Sequence, residues 1–331
     1  MQNNGCFQRT CTRIGAWATL LALSASTAWS QSYPSKPIRI FDQFAPGTPG
    51  DLIARVAASL LSENLGQAVI VENRVGAGGV VAVQAVARAT PDGYTLLICN
   101  ASVPTVLPVL SSKPLPFDPL KDLTPISVIG DIAMLIVANS AMPFNNVKEL
   151  VEYAKANPGK VNYGTTGVGT SMHLSGEQIS QLTGAPMTHI PYKTAPVLDA
   201  ASGALQLAFV VGAQGLPLIK AGKVKLITLM ASSRFAPMPD VPLVNEVVPG
   251  FETPPAWTGL LGPGGLPPAI TRRLFTEVVR GLMSTEGRAQ VQKVGFEPMV
   301  SKSPEEFAQS IRASQELIAR IVKTANIPKI D

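Results

Sequence analysis

Ile38-Arg-Ile-Phe-Asp-Gln-Phe44 runs without a break into Ala45-Pro-Gly-Thr-Pro-Gly50 and then into Asp51-Leu-Ile-Ala-Arg-Val-Ala-Ala-Ser-Leu-Leu61. The first seven residues read as a strand. The next six hold two prolines and two glycines, which interrupt any regular element. Beyond them Leu52, Val56 and Leu60 recur at helical spacing on one face, with Asp51 as the expected N-cap and Gly66 as the stop. The stretch is one β-loop-α unit.

The same alternation repeats outward from it. Val69-Ile-Val-Glu72, the turn Gly76-Ala-Gly-Gly79 and a helix over 80–89 make a second unit, and Pro91-Asp-Gly93 turns the chain into a strand over 94–99. Gly76-Ala-Gly-Gly79 half-matches a dinucleotide fingerprint, but Val81 occupies its sixth position, so the turn reads as structural. Further on come a strand over 135–138, a helix over 147–157, a strand over 161–163, the loop Gly164-Thr-Thr-Gly-Val-Gly169, and a helix over 170–182. Short strands follow near 188–191, 207–211 and 225–229. Such alternation predicts an α/β protein with two domains of mainly parallel sheet covered on both faces. The last helices, over 267–283 and from the capping box Ser303-Pro-Glu-Glu306 to about 325, have no strand partner of their own except near 257–261. They are expected to pack back on the first domain, which then comprises 31–130 and 253–331, with 131–252 as the second.

Residues 1–30 have the layout of a secretory signal peptide: Arg9 and Arg13 without an acid, an apolar run over 14–23, then small residues ending Ala28-Trp-Ser30. The run is far shorter than the ~20 residues of a membrane-spanning helix. Cleavage after Ser30 and export to the periplasm are expected. Cys6 and Cys11 would leave with the leader, and the lone Cys99 makes no internal disulfide. The whole chain carries +5, and loss of Arg9 and Arg13 leaves 25 basic against 22 acidic residues, or +3. The bases are scattered, so nucleic acid is not an expected partner. With 46% hydrophobic and 15% charged residues, a compact monomer that buries its own core is expected.

Two loops can carry chemistry. Pro46-Gly-Thr-Pro-Gly-Asp51 and Thr165-Thr-Gly-Val-Gly-Thr-Ser171 each lead from a strand into a helix start, where unpaired N–H groups and the positive dipole end attract anions without a cationic side chain. A carboxylate suits them. Catalytic signals are thin: there is no Gly-x-Ser-x-Gly elbow and only His173 and His189 are present. His173 and Glu177 lie one helical turn apart, yet no further ligand joins them at metal spacing, so neither metal nor cofactor is expected. His173 is expected to hydrogen-bond within its own loop and His189 to pack in a strand. A hydrolase built on Ser171 or Ser175 with His173 stands as the distant rival.

Several phrases together resemble one family. They are Tyr33-Pro-Ser-Lys-Pro-Ile-Arg39, Phe44-Ala-Pro-Gly47 with Asp51, Val71-Glu-Asn-Arg74 with Gly76-Ala-Gly-Gly79, Pro91-Asp-Gly-Tyr-Thr-Leu96, Tyr163 with Gly167, Gly169 and His173, Pro191-Tyr-Lys193, and Ile219-Lys-Ala-Gly-Lys223. Their order is similar to that of the Bug family, periplasmic substrate-binding components of tripartite tricarboxylate transporters. The resemblance implies a fold like periplasmic binding proteins of type II, with two α/β domains hinged around a cleft. It also implies a small carboxylate ligand, di- or tricarboxylate or aromatic acid, and integral membrane transporter subunits as partners. A sensor subunit for a membrane signalling kinase would use the same fold. Ligand-binding positions carried over by the resemblance are Ala45, Gly47, Thr48, Asp51, Thr165, Thr166, Gly169, Thr170 and His173. Thr48 stands where the family usually has a second glycine, Val210 where it often has Asp, and Phe41-Asp-Gln43 where its strand is more apolar. The segment after Lys193 is one residue shorter.

Overall fold

The computed structural model describes residues 33–192, 195–231 and 238–330; the expected leader with its cleavage point, and Lys193, lie outside them. The regular elements of the described residues lie in one compact unit, residues 36–331. In order they are β1 (Ile38–Asp42), α1 (Pro49–Leu65), β2 (Val69–Asn73), α2 (Val80–Ala87), β3 (Thr95–Asn100), α3 (Leu107–Leu110), β4 (Leu123–Gly130), β5 (Met134–Asn139) and α4 (Val147–Ala156). There follow β6 (Asn162–Thr165), α5 (Ser171–Thr183), β7 (Thr188–Pro191), α6 (Val197–Ser202), β8 (Leu207–Val211), α7 (Gly212–Lys220) and β9 (Val224–Met230). The last are α8 (Val244–Val247), β10 (Thr258–Pro263), α9 (Pro268–Met283), α10 (Thr285–Lys293) and α11 (Pro304–Thr324).

Two five-stranded sheets result, in the orders β2-β1-β3-β10-β4 and β7-β6-β8-β5-β9. Each is the core of a mixed α/β domain. Parallel pairing joins β1 to β2 and β3, and β6 to β7 and β8. Antiparallel pairing joins β10 to β3 and β4, and β5 to β8 and β9. The expectation of mainly parallel sheets is therefore corrected: half of these pairings are antiparallel. The cause is the route of the chain. A parallel neighbour needs a crossover that returns to the starting end, whereas β5 and β10 each follow a strand of the other sheet and enter from the opposite end. Only strands joined by βα units inside one sheet stay parallel.

The sheets share one topology. Strand for strand, β1, β2, β3, β4 and β10 match β6, β7, β8, β9 and β5 in position and direction. β4 was not legible in the sequence. Its Pro125 cannot donate to a ladder, and β4 sits at the sheet edge, where a proline is tolerated.

Trp257 and Phe307 meet edge to face at 4.9 Å in the core of the first sheet, with Phe41, Val83 and Leu97 around them. Tyr163, Phe209 and Phe144 centre the core of the second. A further cluster unites Val106 and Leu110, Ile318 and Ile321 of α11, and Leu174 of α5, so the C-terminal helix packs on the helix that follows the second loop. Cys99 is fully buried, and burial pushes its thiol far up from the ordinary range.

Candidate ligand-binding site

The loops after β1 and β6 are built to one pattern. In the first, Thr48 is the N-cap of α1: its hydroxyl donates to Ala45 O (2.7 Å) and accepts from Asp51 N (3.5 Å). In the second, Thr170 caps α5: its hydroxyl donates to Gly167 O (2.9 Å) and accepts from His173 N (3.2 Å). The preceding glycine is left-handed in both, Gly47 at φ 78° and Gly169 at φ 76°. Each glycine N–H donates to the side chain four residues on, Gly47 to Asp51 Oδ2 (2.9 Å) and Gly169 to His173 Nδ1 (3.2 Å). Asp51 is thus not the cap it was expected to be. It sits at the third helical position and ties the loop from inside, while the unexpected Thr48, extended at φ −76°, takes the cap.

The electrostatics of the two helix starts differ. Asp51 is buried, and its Oδ1 accepts from Asn73 (2.7 Å) and its Oδ2 from Arg55 (2.9 Å) as well as Gly47. Burial would raise its pKa, but the hydrogen bonds from Arg55, Asn73 and Gly47 outweigh it and hold the carboxyl below its ordinary range. A fixed negative charge therefore already complements the dipole of α1. The first turn of α5 holds no acid. Its counterpart residue, His173, is pushed down by burial to about 4 and is neutral near pH 7. Of the two starts, α5 is the one whose positive end is uncompensated.

Beneath the second loop lies a buried polar chain. His173 stacks on His189 with ring centroids 4.2 Å apart, and His189 Nε2 is hydrogen-bonded to Thr165 Oγ1 at 2.8 Å. Thr165 also donates to Gly167 O and accepts from Gly167 N. Tyr163 donates to Glu177 Oε1 at 2.5 Å, and His173 Nε2 is 3.9 Å from the same oxygen. His189 is held near 4 by burial first, then by neighbouring His173. This chain fixes the loop from below.

The structure gathers Ala45, Gly47, Thr48 and Asp51 in the first loop and Thr165, Thr166, Gly169, Thr170 and His173 in the second. Ala45, Gly47 and Thr166 are exposed, Thr48 and Thr170 half-buried, and Asp51, Thr165, Gly169 and His173 buried. Asp51 is tied to Arg55 and Asn73, and Thr165 and His173 to His189, so these buried side chains anchor the loops to the frame beneath them, and what the loops offer outward is backbone with the exposed Ala45, Thr166 and Val168 side chains. Sequence reasoning missed Arg55 and Asn73 as partners of Asp51. Asn73 lay within the quoted Val71-Glu-Asn-Arg74 phrase, but nothing local tied it to a residue 22 positions earlier. Val210 is fully buried in the core of the second sheet. The serines do not pair with His173: Ser171 donates to Pro255 O (2.6 Å) and Ser175 to Ser171 O (2.8 Å). A hollow of ≈ 160 Å³ lies elsewhere, between Asp131, Met230, residues 253–257 and Met299, and none of the nine candidates lines it.

Residues 53–327 match the family described as Tripartite tricarboxylate transporter family receptor. The protein BugT of Bordetella pertussis is 32% identical over 274 residues, covering 82% of this chain and 83% of that protein. Among solved structures, R. palustris Rpa4515 with adipate is 30% identical with a TM-score of 0.80, covering 90% of this chain and 100% of that one. MatC (Rpa3494) from Rhodopseudomonas palustris with bound malate is 28% identical with a TM-score of 0.74, covering 88% and 100%. With its two mixed sheets and paired capped loops, the chain belongs to the tripartite tricarboxylate transporter receptor family, the Bug-type solute-binding proteins that its motifs resemble.

Proposed function

We propose that this protein is a periplasmic receptor that captures a small carboxylate between its two loops and delivers it to integral membrane transporter subunits, without catalysing a reaction. The observation that carries this reading is the α5 start: an uncompensated helix N-terminus on a rigid frame of neutral imidazoles and hydroxyls. An anion there gains roughly 0.3–2 kcal/mol from the dipole and about 1.5–3 kcal/mol from each hydrogen bond it accepts. A few such bonds reach the ~8 kcal/mol of micromolar affinity. One carboxylate is held by backbone groups around Thr166, Gly169 and Thr170. The rest of the ligand lies against Ala45, Gly47 and Thr48, where the charge of Asp51 keeps the second carboxylate hydrated rather than bonded directly to the α1 start.

Adipate in one relative and malate in another support a dicarboxylate of four to six carbons as the ligand class. The test is a thermal-shift panel of malate, adipate, citrate and benzoate. A true ligand at a hundredfold excess over Kd stabilises the fold by about 2.7 kcal/mol. No shift with any member at millimolar concentration would overturn the proposal. Loss of uptake of the labelled ligand on deletion of the gene tests the transporter partnership, since a subunit that only signals would leave uptake intact.

A further inference from the structure

Asp42 ends β1 and is fully buried, directly under the first loop. Its Oδ1 accepts from Phe44 N at 3.3 Å and its Oδ2 from Asn73 Nδ2 at 3.0 Å. That amide nitrogen is oversubscribed. It has two hydrogens, yet three oxygens lie in bonding range: Asp51 Oδ1 at 2.7 Å, Phe44 O at 2.9 Å and Asp42 Oδ2 at 3.0 Å. Two carboxyls therefore share one amide, while the guanidinium of Arg55 bonds Asp51 and Asn73 Oδ1. A proton on Asp42 removes the shortfall, because Oδ2 then becomes a donor toward the acceptors already gathered on Asn73.

We propose that Asp42 is a proton site built into the loop: protonated, it holds residues 44–48 in the shape described, and losing the proton loosens them, so that capture at this loop is linked to pH. The titratable groups whose charge couples to Asp42 are Asp51 and Arg55 of α1 and the Cys99 thiol of β3; β2 contributes the uncharged Asn73. Burial first, and Asp51 after it, raise the Asp42 carboxyl to about 7, against the lowering pull of Phe44 N, Arg55 and Asn73.

The linkage half rests on the receptor reading; the proton site does not. The experiment follows the amide NMR shifts of Phe44 and Gly47 from about pH 5 to 9 in the wild type and in Asp42→Asn. One shared titration near neutral pH in the wild type, absent in D42N, is expected. Flat wild-type shifts, or the same titration persisting in D42N, overturn the proposal. If D42N does not fold, the carboxyl ¹³C shift of Asp42 in the wild type decides, and an ionised signal throughout the range is fatal. Malate and adipate affinities then test the linkage, with about a tenfold loss per pH unit above the midpoint expected in the wild type and none in D42N. Affinity that ignores pH while the amides titrate overturns the linkage. Failure of both acids to bind at every pH counts instead against the receptor reading, and leaves the amide result to judge the proton site.

Discussion

Thr48 and Thr170 do the same work in two loops, yet their removal has different consequences. Thr170→Val deletes the cap of α5 and costs about 1 kcal/mol of stability, read as a lower urea midpoint. It also weakens carboxylate binding, because the hydroxyl that shapes the uncompensated helix start is gone. Thr48→Val carries a similar or smaller stability cost, its cap bond being longer at 3.5 Å, and lowers carboxylate affinity less than Thr170→Val does. Equal losses of affinity in the two variants would contradict the asymmetry drawn from Asp51. At this scale the sequence exposed residue types but not their partners. A threonine before a proline and a glycine followed by an acid were legible; which of Thr48 and Asp51 caps the helix depends on backbone angles that local sequence leaves open.

Among the elements, the units read from alternating strands, loops and helices are close to the observed ones, since hydrophobic periodicity is local. Strand direction is not. β5 and β10 have the composition of any buried strand, and only the path between the sheets makes them antiparallel. The reach of α11 was also partly hidden. Phe307 and Ile311 pack in the core of the first sheet, and Ile318 and Ile321 continue onto Leu174 of α5. Leu174 is therefore a structural support of the second loop from behind. Leu174→Ala, at a fully buried site, should cost about 2–5 kcal/mol by denaturant titration, although it lies only four residues beyond the Thr170 cap. A cost below 1 kcal/mol would mean that α11 does not brace this helix.

Over the whole molecule, the two sheets repeat one topology while their loops differ in charge, an acid in the first and an imidazole in the second, and this sets the response to pH. His173 and His189, held near 4 against the ordinary 6.5, contribute stability that is complete above about pH 6.5 and is lost as the pH falls toward 4. Asp42, raised to about 7 from the ordinary 3.8, acts with the opposite sign: its contribution is complete below about pH 3.8 and fades as the pH climbs through 7. Between roughly pH 4 and 6.5 the fold thus excludes protons at two imidazoles while holding one at a carboxyl. Glu297, raised by burial and by Asp131, acts in the same direction as Asp42, but the large shifts of the two imidazoles outweigh them, and the melting temperature rises with pH across this window. His189→Gln, which keeps a hydrogen-bonding group beside Thr165, removes one of the excluded protons and flattens the rise. Asp42→Asn removes an opposing group and steepens it. Melting curves of the three proteins at half-unit pH steps separate these contributions, and a His189→Gln profile as steep as that of the wild type would show that the stacked imidazoles do not set the acid limit of the fold.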